Sequence, residues 1–117
     1  MFVNLSNHPS TKWTKEQIDE AIRLCPEVEF EGIVDIQFPE IDPAGNEEYI
    51  DNLSNEYLKK ILELKASIKN EDEDIIVHVM GEQTFCFSLI SKLIKRRILC
   101  VASTTKNVNN RLVYLKK

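Results

Sequence analysis

Three apolar segments of this chain each run directly into a short polar cluster, and this pattern constrains the fold more than any other feature. The segments are residues 2–5, 75–80 and 98–102, and the clusters that follow them are residues 6–11, 81–84 and 103–106. Short apolar runs bounded by polar residues predict strands. In an open parallel sheet, the carboxyl ends of the strands share one edge, and ligands bind there where the strand order reverses. We therefore expect the three clusters to converge on one pocket.

Helices are predicted between these strands from the spacing of apolar residues. Residues 14–25 repeat apolar side chains at helical spacing, and Thr14 with Gln17 forms a capping-box pattern. Residues 39–45, rich in proline and glycine, predict a connector. The full predicted series is strand 2–5, helix 14–25, strand 32–38, helix 47–68, strand 75–80, helix 84–97, strand 98–102 and a short strand 111–115.

The order βαβαβαββ predicts an α/β fold with right-handed crossovers and helices on both faces of the sheet. We expect a three-layer, Rossmann-like, mostly parallel sheet with strand order 2-1-3-4. The connection to strand five is too short for a crossover helix, so that strand is expected to lie antiparallel at the edge. A chain of 117 residues is expected to form one domain over residues 1–117.

Composition narrows the class of protein further. No apolar run approaches the roughly 20 residues that a membrane span needs, and no signal segment begins the chain, so we expect a cytoplasmic location without membrane contact. The three cysteines lie far apart in apolar surroundings, which favours core thiols over a disulfide or zinc framework. Neither a metal site nor a cofactor is predicted.

The charge is divided unevenly along the chain. Residues 1–82 carry all 19 acidic residues and 7 basic ones, whereas residues 83–117 carry 8 basic residues and no acid. A local cationic surface suits an anionic ligand or an acidic partner surface. For Lys92, Lys95, Arg96 and Arg97 we favour a solvated helix face and helix end. Lys106 and Arg111 follow a strand end, and both interpretations stay open for them.

One segment suggests a family. The first strand runs into Ser6-Asn7-His8-Pro9-Ser10, followed by a helix start containing Gln17. This pattern, over about residues 1 to 17, resembles the amino-terminal pattern of small CRISPR-associated proteins with a Rossmann-like (CARF-like) fold that bind cyclic oligoadenylates. Some small members of that group are ring nucleases, which cut this second messenger and so switch off type III CRISPR signalling. The resemblance implies a cyclic oligoadenylate as ligand, with cyclic tetra-adenylate favoured, and an antiviral defence role.

Chemistry read from the residues agrees with that expectation. Cleavage of RNA by its own 2′-hydroxyl needs in-line geometry, a proton acceptor and donors to the phosphate oxygens. His8 is the best candidate for proton transfer, with Ser6 and Asn7 as catalytic donors beside it. A structural interpretation stays open, in which His8 belongs to a turn. Further donors to the ligand are Ser103, Thr104, Thr105 and Lys106.

The other candidates each carry two interpretations. Trp13 could stack on a base or act as an apolar staple before the Thr14 cap. Gly81 permits close backbone approach, and the amides that follow could receive a phosphate. Glu82 is either structural or a proton acceptor for a ligand hydroxyl or amino group, with the structural reading favoured. His78, within a strand, favours a buried core histidine. The remaining predicted ligand contacts are Ser10, Thr84 and Arg111.

Two functional classes follow. One is a metal-independent cyclic-oligoadenylate nuclease. The other is a non-catalytic sensor or sponge that binds the same or another nucleotide and acts through a protein partner. A nucleotide transferase is disfavoured because no Walker, dinucleotide or methyl-donor glycine pattern is present. We expect a symmetric homodimer, since one small domain offers little concave surface to enclose a ring, and we expect no duplex DNA among the partners.

Overall fold

The structure, a computed structural model, describes residues 1–24, 33–68, 74–103 and 112–114. Each of the four parallel strands agrees with its predicted range to within one residue at either end. A three-residue 3₁₀ turn, Ser10–Lys12, precedes the first helix. The elements are β1 Phe2–Ser6, α1 Lys15–Leu24, β2 Ile33–Gln37, α2 Glu47–Ala66, β3 Ile76–Met80, α3 Gln83–Lys95, β4 Leu99–Ser103 and β5 Leu112–Tyr114.

The sheet has the strand order β2-β1-β3-β4-β5, and its first four strands are parallel. The predicted order 2-1-3-4 of the parallel strands is therefore confirmed. The backbone of Leu112–Tyr114 pairs with β4 in the opposite direction, with Val101 opposite Tyr114. The strand order reverses at β1, so the carboxyl ends of β1 and its two neighbours form the crevice in which such folds bind ligands.

Side chains alternate between the two faces of the sheet, and each face is covered by helices. Val3, Leu5 and Val77 are fully buried in the larger core cluster, which also contains Ile61 of α2 and Phe85 of α3. On the opposite face, Phe2, Ile76 and Val101 pack with Ala21 of α1. Because helices lie on both faces, the architecture has the three layers of a Rossmann-like fold. In the part of the chain that the structure describes, none of the helices combines the length and apolar character needed to cross a membrane.

The beginning of α1 shows the predicted capping box. The Gln17 side-chain oxygen accepts the Thr14 backbone N–H at 2.9 Å, and the Thr14 hydroxyl accepts the Gln17 N–H at 3.2 Å. These two bonds satisfy donors that the first turn of a helix leaves without an intrahelical partner. The helix runs to Leu24, and the predicted last residue, Cys25, lies outside the described residues.

Helix α3 ends two residues earlier than predicted. Its last helical residue is Lys95, and Arg97 adopts a left-handed backbone conformation with φ of 60°. The Ile98 N–H bonds the Leu93 carbonyl at 3.0 Å, and the Arg97 N–H bonds the Ile94 carbonyl at 2.9 Å. This is the hydrogen-bond pattern of a Schellman termination. Since arginine occupies the position usually held by glycine, no residue in the sequence marked this end.

Helix α2 also ends two residues before its predicted end. The N–H of Ser67 bonds carbonyls of the preceding turn, and the Ser67 hydroxyl donates to the Leu64 carbonyl at 2.6 Å. At the other end, the Asn46 side chain accepts the Tyr49 N–H at 2.9 Å and begins the helix. A serine hydroxyl that bonds the preceding turn competes with continued helical bonding, which explains the earlier end.

Candidate functional site

A row of three polar side chains crosses the middle of the sheet. Asn4, Asp35 and His78 are each the third residue of their strand, and the register places Asn4 opposite both of the others. Because the strands are in register, these side chains project from the same face, which is the face that α1 covers. Asn4 and His78 are buried, whereas Asp35 on the outer strand is exposed.

Asn4 is the centre of a hydrogen-bond network. Its amide nitrogen donates to the His8 carbonyl at 2.8 Å and to Asp35 Oδ1 at 2.9 Å. Its oxygen lies 2.9 Å from the Ser6 hydroxyl and 2.9 Å from His78 Nδ1. Both protons of the Asn4 amide nitrogen are used in these bonds, and its oxygen can only accept. The bond to His78 therefore requires a proton on Nδ1 of the neutral imidazole. All four hydrogen-bonding positions of the Asn4 amide are therefore occupied.

The same network holds the loop that follows β1. The His8 carbonyl also accepts the Trp13 indole N–H at 3.1 Å, and the His8 backbone N–H donates to the Ser6 hydroxyl at 3.2 Å. Further along, the Ser10 N–H and hydroxyl donate to the two Asp35 oxygens at 3.0 and 2.7 Å. The backbone of this loop is thus fixed from β1 and β2, while the side chain of His8 remains exposed.

Two members of the network have shifted pKa values. Partial burial would raise the pKa of Asp35, but hydrogen bonds from Ser10 and Asn4 outweigh it and lower the pKa below its usual value. Burial lowers the pKa of His78 to about 4, so this imidazole is neutral at physiological pH. Its ring packs edge-on against Trp13, with centroids 5.3 Å apart. A buried, neutral, hydrogen-bonded histidine fits the core interpretation of His78.

A cleft of about 750 Å³ lies at the carboxyl edge beside this loop. Its walls come from the loop after β1, from β2 with the connector that follows it, and from the start of α3. Three carboxylates, those of Asp35, Glu40 and Glu82, line it, and no lysine or arginine of the described residues does. The other lining residues are Asn4, Ser6, Asn7, Pro9, Ile36, Gln37, Phe38, Pro39 and Ile41. The surface of this cleft therefore suits groups that donate hydrogen bonds.

The amino-terminal end of α3 is already bonded by its own chain. The Glu82 carboxylate accepts the N–H groups of Thr84 and Phe85 at 3.0 and 2.9 Å, and also the Thr84 hydroxyl. The Thr84 hydroxyl and these N–H groups lower the pKa of Glu82. Gly81 lies against the Phe38 ring. A Cβ on residue 81 would lie 2.4 Å from that ring, which is too close for a side chain to fit without a shift. These contacts give Glu82 and Gly81 structural roles, and the amides predicted to receive a phosphate are occupied by a carboxylate.

The structure brings some of the predicted site residues together and separates others. Ser6, Asn7 and Glu82 line the cleft, and Ser10 binds the Asp35 carboxylate beside it. Trp13 lies beneath the loop against Phe2 and His78, and Thr84 faces the neighbouring groove between α2 and α3. The backbone of Ser103 ends β4. Thr104, Thr105, Lys106 and Arg111 lie outside the described residues, so their predicted convergence with the cleft stays a prediction.

Sequence reasoning missed Asp35, which the structure places in the network and in the cleft. It lies inside a predicted strand and outside every polar cluster that follows a strand, so a signal based on such clusters does not include it. A usable signal was present: FVNLS, IVDIQ and IVHVM each carry one central Asn, Asp or His among apolar neighbours. Parallel strands in register turn such central residues into one row.

The donor groups present do not form a metal site within the described residues, where no three His, Cys, Asp or Glu side chains are grouped to hold an ion. Cys100 is buried and Cys86 half-buried, and burial raises their pKa values to about 12 and about 11. These thiols are therefore protonated and poor ligands at neutral pH.

The chain belongs to the Uncharacterized protein MJ1673 family, whose model matches residues 1–112. No curated protein and no solved structure matches it.

Proposed function

We propose that this protein binds a cyclic oligoadenylate at the carboxyl edge of its sheet and cleaves it without a metal ion. The observation that supports binding is the fixed loop after β1, in which convergent bonds to the His8 carbonyl hold the backbone while Asn7 and His8 remain exposed. A loop fixed before the ligand arrives loses little conformational entropy on binding.

The charge of the cleft decides which part of the ligand enters it. Asp35, Glu40 and Glu82 would repel a phosphate, but they can accept hydrogen bonds from the adenine amino group and the ribose hydroxyls. We therefore assign a nucleoside portion to the cleft. The phosphates are assigned to the carboxyl end of β4, where Ser103, Thr104, Thr105, Lys106 and Arg111 follow in the sequence.

Cleavage requires that a ribose 2′-oxygen bond the adjacent phosphorus while the bond from phosphorus to the 5′-oxygen breaks. The 2′-hydroxyl gives up its proton, and the 5′-oxygen gains one. We assign this proton transfer to His8. Asn7 beside it donates to the oxygens of the scissile phosphate, and Ser6, whose hydroxyl donates to Asn4, orients the loop. No hydrogen bond from the described residues orients the His8 imidazole, so the bound ligand has to orient it.

A non-catalytic sponge or sensor is the second candidate, and the same absence of an orienting partner for His8 within the described residues favours it. A general base that is not held in place contributes little to a transition state. In that case the protein would sequester the nucleotide or pass its signal to a protein partner.

The deciding experiment is incubation with cyclic tetra-adenylate, with and without EDTA, followed by chromatography of the products and a parallel binding titration. We expect linear fragments ending in a 2′,3′-cyclic phosphate, formed equally with EDTA. His8→Ala should lower turnover by about 100-fold or more with little change in affinity, because a general base acts in the transition state. The control is Thr11→Ala, an exposed residue of the same loop outside the cleft.

Three other results of this experiment would change the conclusion. Binding without products would establish the sponge or sensor. Unchanged cleavage by the His8→Ala variant would remove His8 from the mechanism. Absence of binding would reject cyclic tetra-adenylate as the ligand.

A further inference from the structure

A second concave surface, which we call the Phe87 groove, lies beside the cleft. It runs between the amino-terminal halves of α2 and α3 and the connector before α2, with a volume of about 1260 Å³. Phe87 in its wall is 77% exposed, the most exposed of the large apolar side chains described. Ile41, Pro43 and Ile50 extend the apolar surface. An exposed aromatic side chain within an apolar groove is typical of an interaction site.

The rim of the Phe87 groove is acidic. Five carboxylates line it, and no lysine or arginine of the described residues does. Three of them have partners: Lys92 binds Asp51 at 2.6 Å, Glu82 caps α3, and Asp42 accepts the Ala44 N–H at 2.9 Å. Glu47 and Glu48 are exposed in the first turn of α2 and bind no cation in the described parts of the chain.

We propose that the Phe87 groove docks a basic amphipathic segment of a partner protein. An apolar side chain of that segment covers Phe87, and its lysines or arginines bind Glu47 and Glu48. Charge complementarity selects this occupant. Nucleic acid and anionic membrane surfaces would be repelled by the rim, and two copies of the groove facing each other would oppose their carboxylates. The proposal is independent of the ligand in the cleft.

The probe for this surface is a synthetic helical peptide of about 16 residues made of Ala, Lys and Leu, with the leucines along one face. A matched peptide has serine in place of every leucine. We expect the leucine peptide to bind the full chain and Phe87→Ser to weaken that binding about tenfold or more. The same substitution should leave any binding of the serine peptide unchanged, because only an apolar contact has been removed.

A second variant tests the charged rim. Glu47→Gln with Glu48→Gln should weaken binding of the leucine peptide and reduce its dependence on salt, since two charge pairs are lost. Matched controls are Ile22→Ser, an apolar residue 41% exposed on α1, and Glu16→Gln with Glu56→Gln, which removes the same charge elsewhere. All the substituted residues are exposed, and thermal melting checks that every variant folds.

Four outcomes would overturn the proposal. The leucine peptide could fail to bind, or it could bind the Phe87→Ser variant as tightly as the unsubstituted chain. Equal binding of the two peptides would indicate non-specific attraction to an acidic protein. Finally, sedimentation could show that the chain alone self-associates and that Phe87→Ser abolishes this, which would assign the groove to a second copy.

Discussion

At the scale of single residues, Asn4 determines the state of its neighbours. Its amide donates to the charged Asp35 carboxylate on one side and accepts from neutral His78 on the other. An aspartate at this position could not donate both bonds and would bring a second negative charge to Asp35. The Asn4 amide thus lies between anionic Asp35 on the outer strand and uncharged His78 in the core. It also holds the His8 carbonyl.

The burial of His78 predicts a distinct pH dependence of stability. Its pKa is lowered to about 4 in the folded protein, whereas a free imidazole titrates near 6.5. Between these values, the unfolded chain binds a proton that the folded chain does not, so stability is lost as the pH falls from about 6.5 to about 4. The loss should reach roughly 3 kcal/mol, measured by urea unfolding at a series of pH values.

The control for this prediction is His78→Gln, whose amide can donate to Asn4 but does not titrate. This variant should lose the decline above pH 4 while keeping any decline that Asp35 contributes at more acidic pH. Asp35 changes the stability in the same direction as His78. Because its pKa is lowered in the folded protein, stability is lost as the pH falls through the acidic range. A decline above pH 4 that survives in the variant would contradict the assignment to His78.

At the scale of elements, the loop after β1 depends on the neighbouring strand as much as on its own. Asp35 of β2 accepts both the N–H and the hydroxyl of Ser10, and it does so from an exposed position. Strand pairing between β1 and β2 is therefore coupled to the shape of the candidate site.

Asp35→Ala should loosen this loop without unfolding the protein. It removes the acceptors of Ser10 and one acceptor of Asn4, and bonds to charged groups are worth about 1.5 to 3 kcal/mol each. We expect amide hydrogen exchange at Ser10 to accelerate about tenfold or more, and cyclic tetra-adenylate to bind more weakly. Gln37→Ala, an exposed substitution on the same strand, is the control and should leave the Ser10 amide protected. Equal exchange in both variants would place the support of the loop elsewhere.

The sequence predicted the parallel strands and the start of α1 because their signals are local: apolar runs, and a Thr and a Gln three residues apart. It did not predict where α3 ends, because the left-handed position is held by Arg97 rather than by glycine. The residues of the candidate site were predicted only in part, because only some of them have a local signal. Ser6 and Asn7 follow a strand in the sequence, but the contribution of Asp35 depends on the register between β1 and β2, and single-strand patterns carry no register.

At the scale of the whole molecule, acidic and basic residues are segregated along the chain, and the described carboxyl edge is acidic. A polyanionic ring can bind there only if cations from residues 104–111, or from a second copy, neutralise its phosphates. A chain of 117 residues offers little concave surface to enclose a ring, which is the reason to expect a symmetric dimer with the ligand on its two-fold axis.

The dimer prediction is tested by light scattering after size exclusion, with and without cyclic tetra-adenylate. We expect a dimer that holds one ring, and an affinity that falls as salt is raised because phosphate contacts release counterions. Lys106→Gln should weaken binding and flatten the salt dependence, with Lys59→Gln on the exposed face of α2 as the control. A monomer that binds one ring by itself would contradict the prediction. Affinity unaffected by salt would indicate that Lys106 and Arg111 are solvated and do not contact the phosphates.

The position of β2 at the end of the strand order has a further consequence. An outer strand presents unpaired backbone groups, and such an edge can recruit strands from other molecules and begin aggregation. Asp35 and Gln37 place polar side chains along this edge, and a charge that is costly to bury opposes the addition of another strand. The residue that anchors the Ser10 loop therefore also opposes the addition of a further strand at β2, the outer strand of the described sheet.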